Sequence, residues 1–188
     1  MAVDAAHLFV ITGGPGSGKT TLIDTLERAG FARTIEAGRA IIQEQQAIDG
    51  LALRDPTLFA ELMLSWELRS YRMAEALSGP VFCDRGAPDV VGYLRLMSLP
   101  VPPHVEQAAT MFRYNRRVFI APPWAEIFTP DAERKQSFAE AVRTYDAMVA
   151  TYEGFGYGLV ELPRCSITER GRVLEGQGPR LTVNRETA

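Results

Sequence analysis

Short apolar runs alternate with amphipathic stretches along this chain, and glycine or proline bounds most of them. The runs predict five strands, at residues 7–12, 31–35, 81–84, 117–121 and 158–162. The stretches between them predict helices at 19–29, 37–48, 56–77, 131–153 and 166–174, with shorter helices from Pro88 and after Pro103. Strands that alternate with helices are typical of an α/β fold whose mainly parallel sheet is covered on both faces. We expect one domain over residues 1–176 and a flexible polar tail over 177–188.

Composition narrows the possible partners. With 188 residues and a formal net charge of −3, the chain has no excess of positive charge with which to hold a nucleic acid. Its first residues include Asp4 and no basic segment, so they predict a strand and no signal peptide. No run approaches 18 apolar residues, so we expect no membrane partner. Cys83 and Cys165 form neither a disulfide framework nor a zinc spacing, which favours a reducing, cytoplasmic location.

The first predicted strand leads directly into a glycine-rich phosphate-binding motif. The sequence GGPGSGKT contains G-x-x-x-x-G-K-[ST], in which backbone N–H groups and the following helix N-terminus surround phosphate. Lys19 is one of only two lysines, beside 18 arginines, and a compact ammonium suits the β- and γ-phosphates of ATP or GTP. The predicted nucleotide-binding residues are Gly13, Gly14, Pro15, Gly16, Ser17, Gly18, Lys19, Thr20 and Thr21.

A magnesium ion accompanies the nucleotide at such motifs, and two side chains are predicted to hold it. Thr20 supplies a hydroxyl from the motif, and Asp84 supplies a carboxylate at the carboxyl end of the third strand, VFCD. The structural alternative is that Asp84 only caps the helix that contains Pro88. Arg85 follows Asp84 and is predicted to face a phosphate of the donor or of an acceptor.

Glu36 and Arg39 follow the second strand, so they are expected at the same edge of the sheet. Glu36 has the chemistry to accept a proton from an acceptor hydroxyl, and Arg39 to hold a charged group of the acceptor. The alternative is an ordinary acidic first turn of a helix, which the helix dipole favours.

Arg134 and Lys135 lie where the long helix from about residue 131 is predicted to begin, and positive charge there opposes the helix dipole. This placement suggests a lid in which Arg134 contacts phosphate, whereas the alternative is a solvated pair balanced by neighbouring acids. Trp124 and Phe128, just before this segment, suit either base stacking or core packing.

The segments FVITGGPGSGKTTL, IEAGRAII, VFCDRG and VFIAPPW followed by DAER resemble the small "AAA domain" family of predicted ATPases. This family is grouped with the ribosylnicotinamide kinase domain of NadR, and the resemblance covers about residues 7–163. It implies a P-loop NTPase fold of the nucleotide-kinase type, an α/β/α sandwich with five parallel strands. It also implies a nucleotide site at 13–20, an acidic position at Asp84 and a lid arginine at Arg134. The Asp84-Arg85-Gly86 ending is similar in style to the Asp-Arg pair of thymidylate kinases.

The sequence therefore predicts a small-molecule kinase that transfers the γ-phosphoryl group of a Mg²⁺-bound nucleoside triphosphate to a hydroxyl or phosphate of an unidentified acceptor, of the nucleoside or metabolite type. ATP is favoured over GTP because the sequence has no Asn-Lys-x-Asp stretch, which would indicate guanine recognition. A regulatory nucleotide-binding protein and a plain NTP hydrolase remain alternatives. The predicted catalytic residues are Lys19, Asp84, Glu36 and Arg134, and the predicted acceptor-binding residues are Glu36, Arg39 and Arg85.

Overall fold

The computed structural model describes residues 4–128 and 137–177, and for 175–177 the backbone alone. The strands of the described residues are β1 (Leu8–Gly13), β2 (Ala32–Arg33), β3 (Val81–Asp84), β4 (Arg117–Ala121) and β5 (Gly158–Glu161). They form one sheet in the order β2-β3-β1-β4-β5, and every neighbouring pair is parallel. The expected five-stranded parallel sheet is confirmed.

The central strand β1 is buried on both faces, which explains the uninterrupted apolar run of its first four residues. Leu8 and Val10 belong to the core on one side of the sheet, whereas Phe9 and Ile11 belong to the core on the other side. Alternate residues of a strand point to opposite faces, so a strand covered on both sides needs apolar residues at every position.

Helices cover both faces, which gives the expected three layers. The helices of the described residues are α1 (Lys19–Arg28), α2 (Ala37–Ala47), α3 (Pro56–Glu75), α4 (Ala87–Leu96), α5 (Pro103–Met111), α6 (Phe138–Gly154) and α7 (Ile167–Gln177). A single 3₁₀ turn, Leu51–Leu53, separates α2 from α3. Leu22 of α1 and Leu174 of α7 join the core on the side of Phe9, and Tyr152 of α6 joins the opposite one.

The register of the sheet determines which strand ends meet. In the pairing of β1 with β3, Ile11 lies opposite Asp84, so the phosphate-binding motif and the acidic strand end are neighbours. Ligands of open parallel sheets bind at this carboxyl edge.

Two elements differ from the sequence-based expectation. The long helix was predicted from about residue 131, but α6 begins at Phe138, where Ser137 and Glu140 form a capping box. The second strand was predicted over 31–35 and is only Ala32–Arg33, an edge strand that pairs with β3 alone. Just after β2, the hydroxyl of Thr34 accepts a hydrogen bond from the backbone N–H of Asp84.

Within the described residues, every helix lacks the combination of length and apolar character that crossing a bilayer requires.

Candidate active site

The phosphate-binding loop depends on close backbone contacts that only glycine allows. Gly13 has φ +129°, and a Cβ atom there would lie 2.4 Å from the carbonyl oxygen of Ala121 in β4. A Cβ atom on Gly14 would lie 2.3 Å from the carbonyl oxygen of Ala141 in α6. The motif explains Gly13, whereas Gly14 is required because α6 packs directly on the loop.

The ammonium group of Lys19 lies over this loop. Its Nζ donates to the carbonyl oxygens of Gly14 at 2.6 Å and Gly13 at 3.1 Å, and to the Oγ of Ser17 at 3.2 Å. The hydroxyl of Ser17 also donates to the carbonyl oxygen of Gly14 at 2.8 Å. Lys19 is only 7% exposed, so its charge is concentrated where the motif receives phosphate.

Asp84 occupies the end of β3, 4% exposed, and its Oδ1 atom has no hydrogen-bond partner among the described residues. The pKa of Asp84 is raised to about 6, mainly by burial and then by the nearby charge of Glu36, whereas Lys19 and Arg85 act to lower it. The capping alternative is not supported, because the N-cap of α4 is Gly86, whose N–H donates to Asp89 at 3.1 Å.

These features suit a bound cation. A buried carboxylate oxygen without a partner, close to a hydroxyl-bearing loop, matches the oxygen ligands that Mg²⁺ prefers. The described residues contain no group of three or more His, Cys, Asp or Glu side chains able to hold a metal ion by themselves. A magnesium ion held by Thr20 and Asp84 would therefore take its remaining ligands from phosphate and water, as Mg²⁺ ordinarily does.

Arg85 is held between two carboxylates. Its Nε donates to Glu36 Oε1 at 3.1 Å and its Nη1 to Asp89 Oδ1 at 3.0 Å. Its backbone has φ +73°, a left-handed conformation that is strained for arginine and that these contacts help to maintain. Burial opposes the charge of Arg85, but Glu36 and Asp89 keep its pKa above the ordinary value.

Glu36 is the N-cap residue of α2, yet its side chain makes no capping hydrogen bond and contacts Arg85 instead. The alternative of an ordinary acidic helix turn therefore does not account for its position. Arg39, one turn later, lies 3.9 Å from Glu36 and is more exposed.

Two cavities adjoin these side chains. The first, which we call the loop cavity, has a volume of about 400 Å³ and is lined by residues 15–21, Arg39 and Phe128 among others. The second, which we call the acceptor cavity, has a volume of about 470 Å³ and is lined mainly by α2, α3, α4 and α6. Pro15, Glu36 and Arg85 line both cavities, so the two spaces meet at these residues.

The structure thus brings most of the predicted site residues to one edge of the sheet. Arg39 was predicted to bind the acceptor, but among the two cavities it lines only the loop cavity. Arg134 lies outside the described residues. The lid arginine at that position therefore stays a prediction.

Phe128 lines the loop cavity, where a Cβ atom on Gly16 would contact its ring, and it also packs against Phe138. Trp124 instead stacks on the guanidinium of Arg170, whose carbon lies 4.9 Å from the ring centroid.

Arg170 was not singled out by the sequence and proves to support the loop. It is fully buried on α7, and its Nη1 donates to the carbonyl oxygen of Ser17 at 2.8 Å. Its Nε donates to the carbonyl oxygen of Pro163, also at 2.8 Å, and Nη2 has no partner among the described residues. An arginine in a polar helix resembles a surface residue in sequence, and no local signal identifies this role.

Two further carboxyl groups near the site were missed. Asp89 of α4 receives hydrogen bonds from Arg85, Gly86 and the hydroxyl of Tyr152. Glu67 of α3 is 4% exposed and lines the acceptor cavity. Burial raises the pKa of Glu67 well above its usual value, and Asp89 and Asp84 add to the shift.

Comparison with known proteins assigns the family. The profile of the family described as "AAA domain" matches residues 8–170, which is most of the chain. No curated protein matches the sequence.

Several solved structures, two kinases among them, share the fold. The NadR protein in complex with NR superposes with a TM-score of 0.71 at 17% identity, over 91% of this chain and 50% of that one. The present chain therefore spans about half the length of the NadR chain. Deoxyadenosine kinase from M. mycoides gives a TM-score of 0.59 at 12% identity, over 90% of this chain and 97% of that one. Thymidylate kinase from Ehrlichia chaffeensis gives 0.55 at 16% identity, over 91% and 97%. The fold is that of the P-loop kinases.

Proposed function

This chain belongs to the AAA domain family, and from that premise we propose that it is a small-molecule kinase that transfers the γ-phosphoryl group of Mg·ATP to an acceptor hydroxyl. The observation that carries this proposal is the meeting of two cavities at Glu36 and Arg85. A hydrolase or a nucleotide switch needs the loop cavity alone. A kinase needs a second space beside it for the acceptor.

The donor would lie in the loop cavity. Its phosphates would replace the contacts that the Lys19 ammonium makes with the loop carbonyls, because oxyanions are stronger partners than neutral carbonyl oxygens. Arg39 lines this cavity and would add a second positive charge near the phosphates. Thr20 and Asp84 would hold the magnesium ion, which neutralises charge on the phosphate oxygens when bound.

The acceptor would enter from the other cavity and meet the donor beside Glu36. In the transfer step, the acceptor oxygen forms a bond to the γ-phosphorus while the bond from that phosphorus to the β,γ-bridging oxygen breaks, releasing ADP. The hydroxyl proton passes to the Glu36 carboxylate, which lines both cavities. Arg85, held by Glu36 and Asp89, orients this carboxylate.

The test is nucleotide turnover with and without acceptors. Release of ADP from Mg·ATP, and of GDP from Mg·GTP, is measured alone and with a panel of nucleosides, sugars and small phosphorylated metabolites. We expect one class of compound to accelerate ADP release and to appear as a phosphorylated product by mass spectrometry. Lys19→Ala should reduce the accelerated rate by about 100-fold or more, since it removes the charge nearest the developing negative charge. Lys19→Arg should fail to restore it, because a planar fork does not fit the loop.

Each rival gives a different result. A hydrolase would release ADP at the same rate whatever compound is added, and no product other than ADP and phosphate would form. A regulatory protein would bind Mg·ATP in calorimetry but turn it over slowly under every condition. If calorimetry detects no binding heat with either Mg·ATP or Mg·GTP, all three functions are contradicted, because each of them requires a bound nucleotide.

A further inference from the structure

The charges that face the acceptor cavity bear on which acceptors it takes. This argument rests on the proposed function and concerns the same site. The charged side chains that line the cavity among the described residues are four acids and two bases, namely Glu36, Glu67, Asp89, Glu140, Arg85 and Arg143. The question is whether either base is available to a negatively charged ligand.

Arg85, the interior base, is already neutralised. Its guanidinium contacts Glu36 at 3.1 Å and Asp89 at 3.0 Å, and its side chain is only 13% exposed. Two carboxylates therefore share one positive charge. A phosphate group placed beside Arg85 would have to displace one of them and would still meet the other.

Arg143, the second base, lies at the rim. Its side chain is 64% exposed and its Nη2 lies 4.0 Å from Glu140, one turn earlier on α6. An exposed charge of this kind is screened by solvent and balanced by its acidic neighbour, so it offers a buried anion little compensation.

Glu67 adds a further carboxyl group from the middle of α3. Whichever protonation state it adopts, it contributes no positive charge to the cavity. Burial holds the pKa of Glu67 well above its usual value, and its carboxyl oxygens can accept a hydrogen bond from a polar group of a ligand in either form. The rest of the lining includes apolar side chains, among them Ile42, Phe59, Met63 and Tyr93.

A phosphate monoester carries a charge of about −1.5 to −2 at neutral pH, and burying it without a cation is costly. We infer that the acceptor is a nucleoside-like alcohol, a ring-bearing hydroxyl compound without a phosphate group, whose ring contacts the apolar wall and whose hydroxyl reaches Glu36. This inference separates nucleoside-type from nucleotide-type acceptors, which the fold alone does not do.

Matched acceptor pairs test the inference directly. The common ribonucleosides and deoxyribonucleosides are compared with their own 5′-monophosphates as accelerators of ADP release at saturating Mg·ATP. We expect acceleration by at least one nucleoside, with kcat/KM about 100-fold or more above that of its monophosphate, since an uncompensated charge of this kind is worth several kcal/mol.

A charge variant with a matched control makes the test specific to the cavity. Met97 lines the cavity and is 45% exposed, so Met97→Arg places a new cation at its wall. Because a half-exposed charge is partly screened by solvent, this change should reduce the ratio of kcat/KM for the nucleoside to that for its monophosphate by about two- to threefold. Met111 is 56% exposed at the end of α5 and lines neither cavity, so Met111→Arg adds the same charge elsewhere and should leave the preference unchanged.

The outcomes separate this inference from the proposed function. If a monophosphate accelerates ADP release as well as its nucleoside or better, the inference is wrong and the kinase proposal stands. If no nucleoside accelerates ADP release while another compound of the broader panel does, the inference is again wrong and the kinase proposal again stands. If no compound of either panel does so, both fail together.

Discussion

At the scale of the residue, Asp84 combines deep burial with a carboxyl group whose Oδ1 has no partner among the described residues. Its folded-state pKa of about 6 lies above the ordinary value of 3.8, so the folded protein binds this proton more tightly than the unfolded chain does. Ionisation of Asp84 therefore opposes folding, and the free energy of unfolding of the metal-free protein should fall as the pH rises from about 4 through about 6.

Asp84→Asn separates the two effects of this charge. In metal-free protein near pH 8, the variant should have a higher free energy of unfolding than the wild type, and the gain should vanish near about pH 4, where Asp84 is protonated in both states. With Mg·ATP, the variant should lose most of its turnover, because an amide is a poor magnesium ligand. Urea unfolding at both pH values and ADP release measure the two effects.

Asp146→Asn is the control for this prediction, since Asp146 is exposed on α6 and lines neither cavity. It should change neither the pH dependence of unfolding nor the turnover. Wild-type turnover in Asp84→Asn would remove Asp84 from the metal site, and a gain in stability of the same size at both pH values would show that its charge is not the cause.

At the scale of the element, strand β1, the loop and helix α1 were predictable because their determinants are local. The run from Leu8, the glycines and the Lys19-Thr20 pair occupy consecutive positions, and each specifies backbone conformation by itself. The start of helix α6 is also specified by a local signal, although its predicted position was wrong. Ser137 and Glu140 have the capping-box spacing that places its start at Phe138, but the prediction followed the longer polar-apolar pattern instead.

Glu67 and Arg170 could not be found in this way, because their roles depend on contacts between distant elements. In the sequence, Glu67 is one of several charged residues along α3, and only the packing of α3 in the same core as β3 buries it near Asp84. Arg170 is 153 positions from Ser17, whose carbonyl it holds. Sequence patterns report burial by periodicity, and they do not report which distant partner a buried polar group meets.

Helix α7 is predicted to act on the phosphate loop through Arg170, as a positioning residue. Arg170→Met keeps a long side chain but removes the hydrogen bond to the Ser17 carbonyl and the buried positive charge behind the loop. We expect the dissociation constant for Mg·ATP to rise by about tenfold or more, since a hydrogen bond from a charged donor is worth about 1.5–3 kcal/mol. Isothermal titration calorimetry measures this.

Arg113→Met provides a matched control for Arg170→Met. Arg113 makes the same kinds of contact, with its Nη1 on the carbonyl oxygen of Phe155 at 2.9 Å and its guanidinium carbon 4.0 Å from the Tyr157 ring centroid. It lines neither cavity. This variant should lose stability with little change in the affinity for Mg·ATP. Equal ATP affinities in the two variants would reduce Arg170 to a purely structural residue.

At the scale of the whole molecule, Asp89 links layers that the sequence separates widely. One of its oxygens accepts hydrogen bonds from Thr12 of β1 and from Arg85, and the other accepts them from Gly86 and from Tyr152 of α6. Burial raises the pKa of Tyr152, and the charge of Asp89 raises it further, so its hydroxyl remains a donor. The same carboxylate that joins sheet and helices thus holds the arginine between the two cavities.

Tyr152→Phe tests whether this network stabilises the fold. The variant removes one hydroxyl and leaves the Asp89 carboxylate with fewer donors in a buried setting, so the free energy of unfolding should fall by about 1–3 kcal/mol. Tyr145→Phe, on the same helix, removes a hydroxyl that bonds to the exposed Glu161 and should change it by no more than about 0.5 kcal/mol. Urea denaturation of both variants gives the comparison, and equal losses of stability would mean that Asp89 does not depend on Tyr152.

Because Asp89 also positions Arg85, Tyr152→Phe should in addition raise the KM of the acceptor more than that of ATP. This result would link the stability of the molecule to the cavity that its layers enclose.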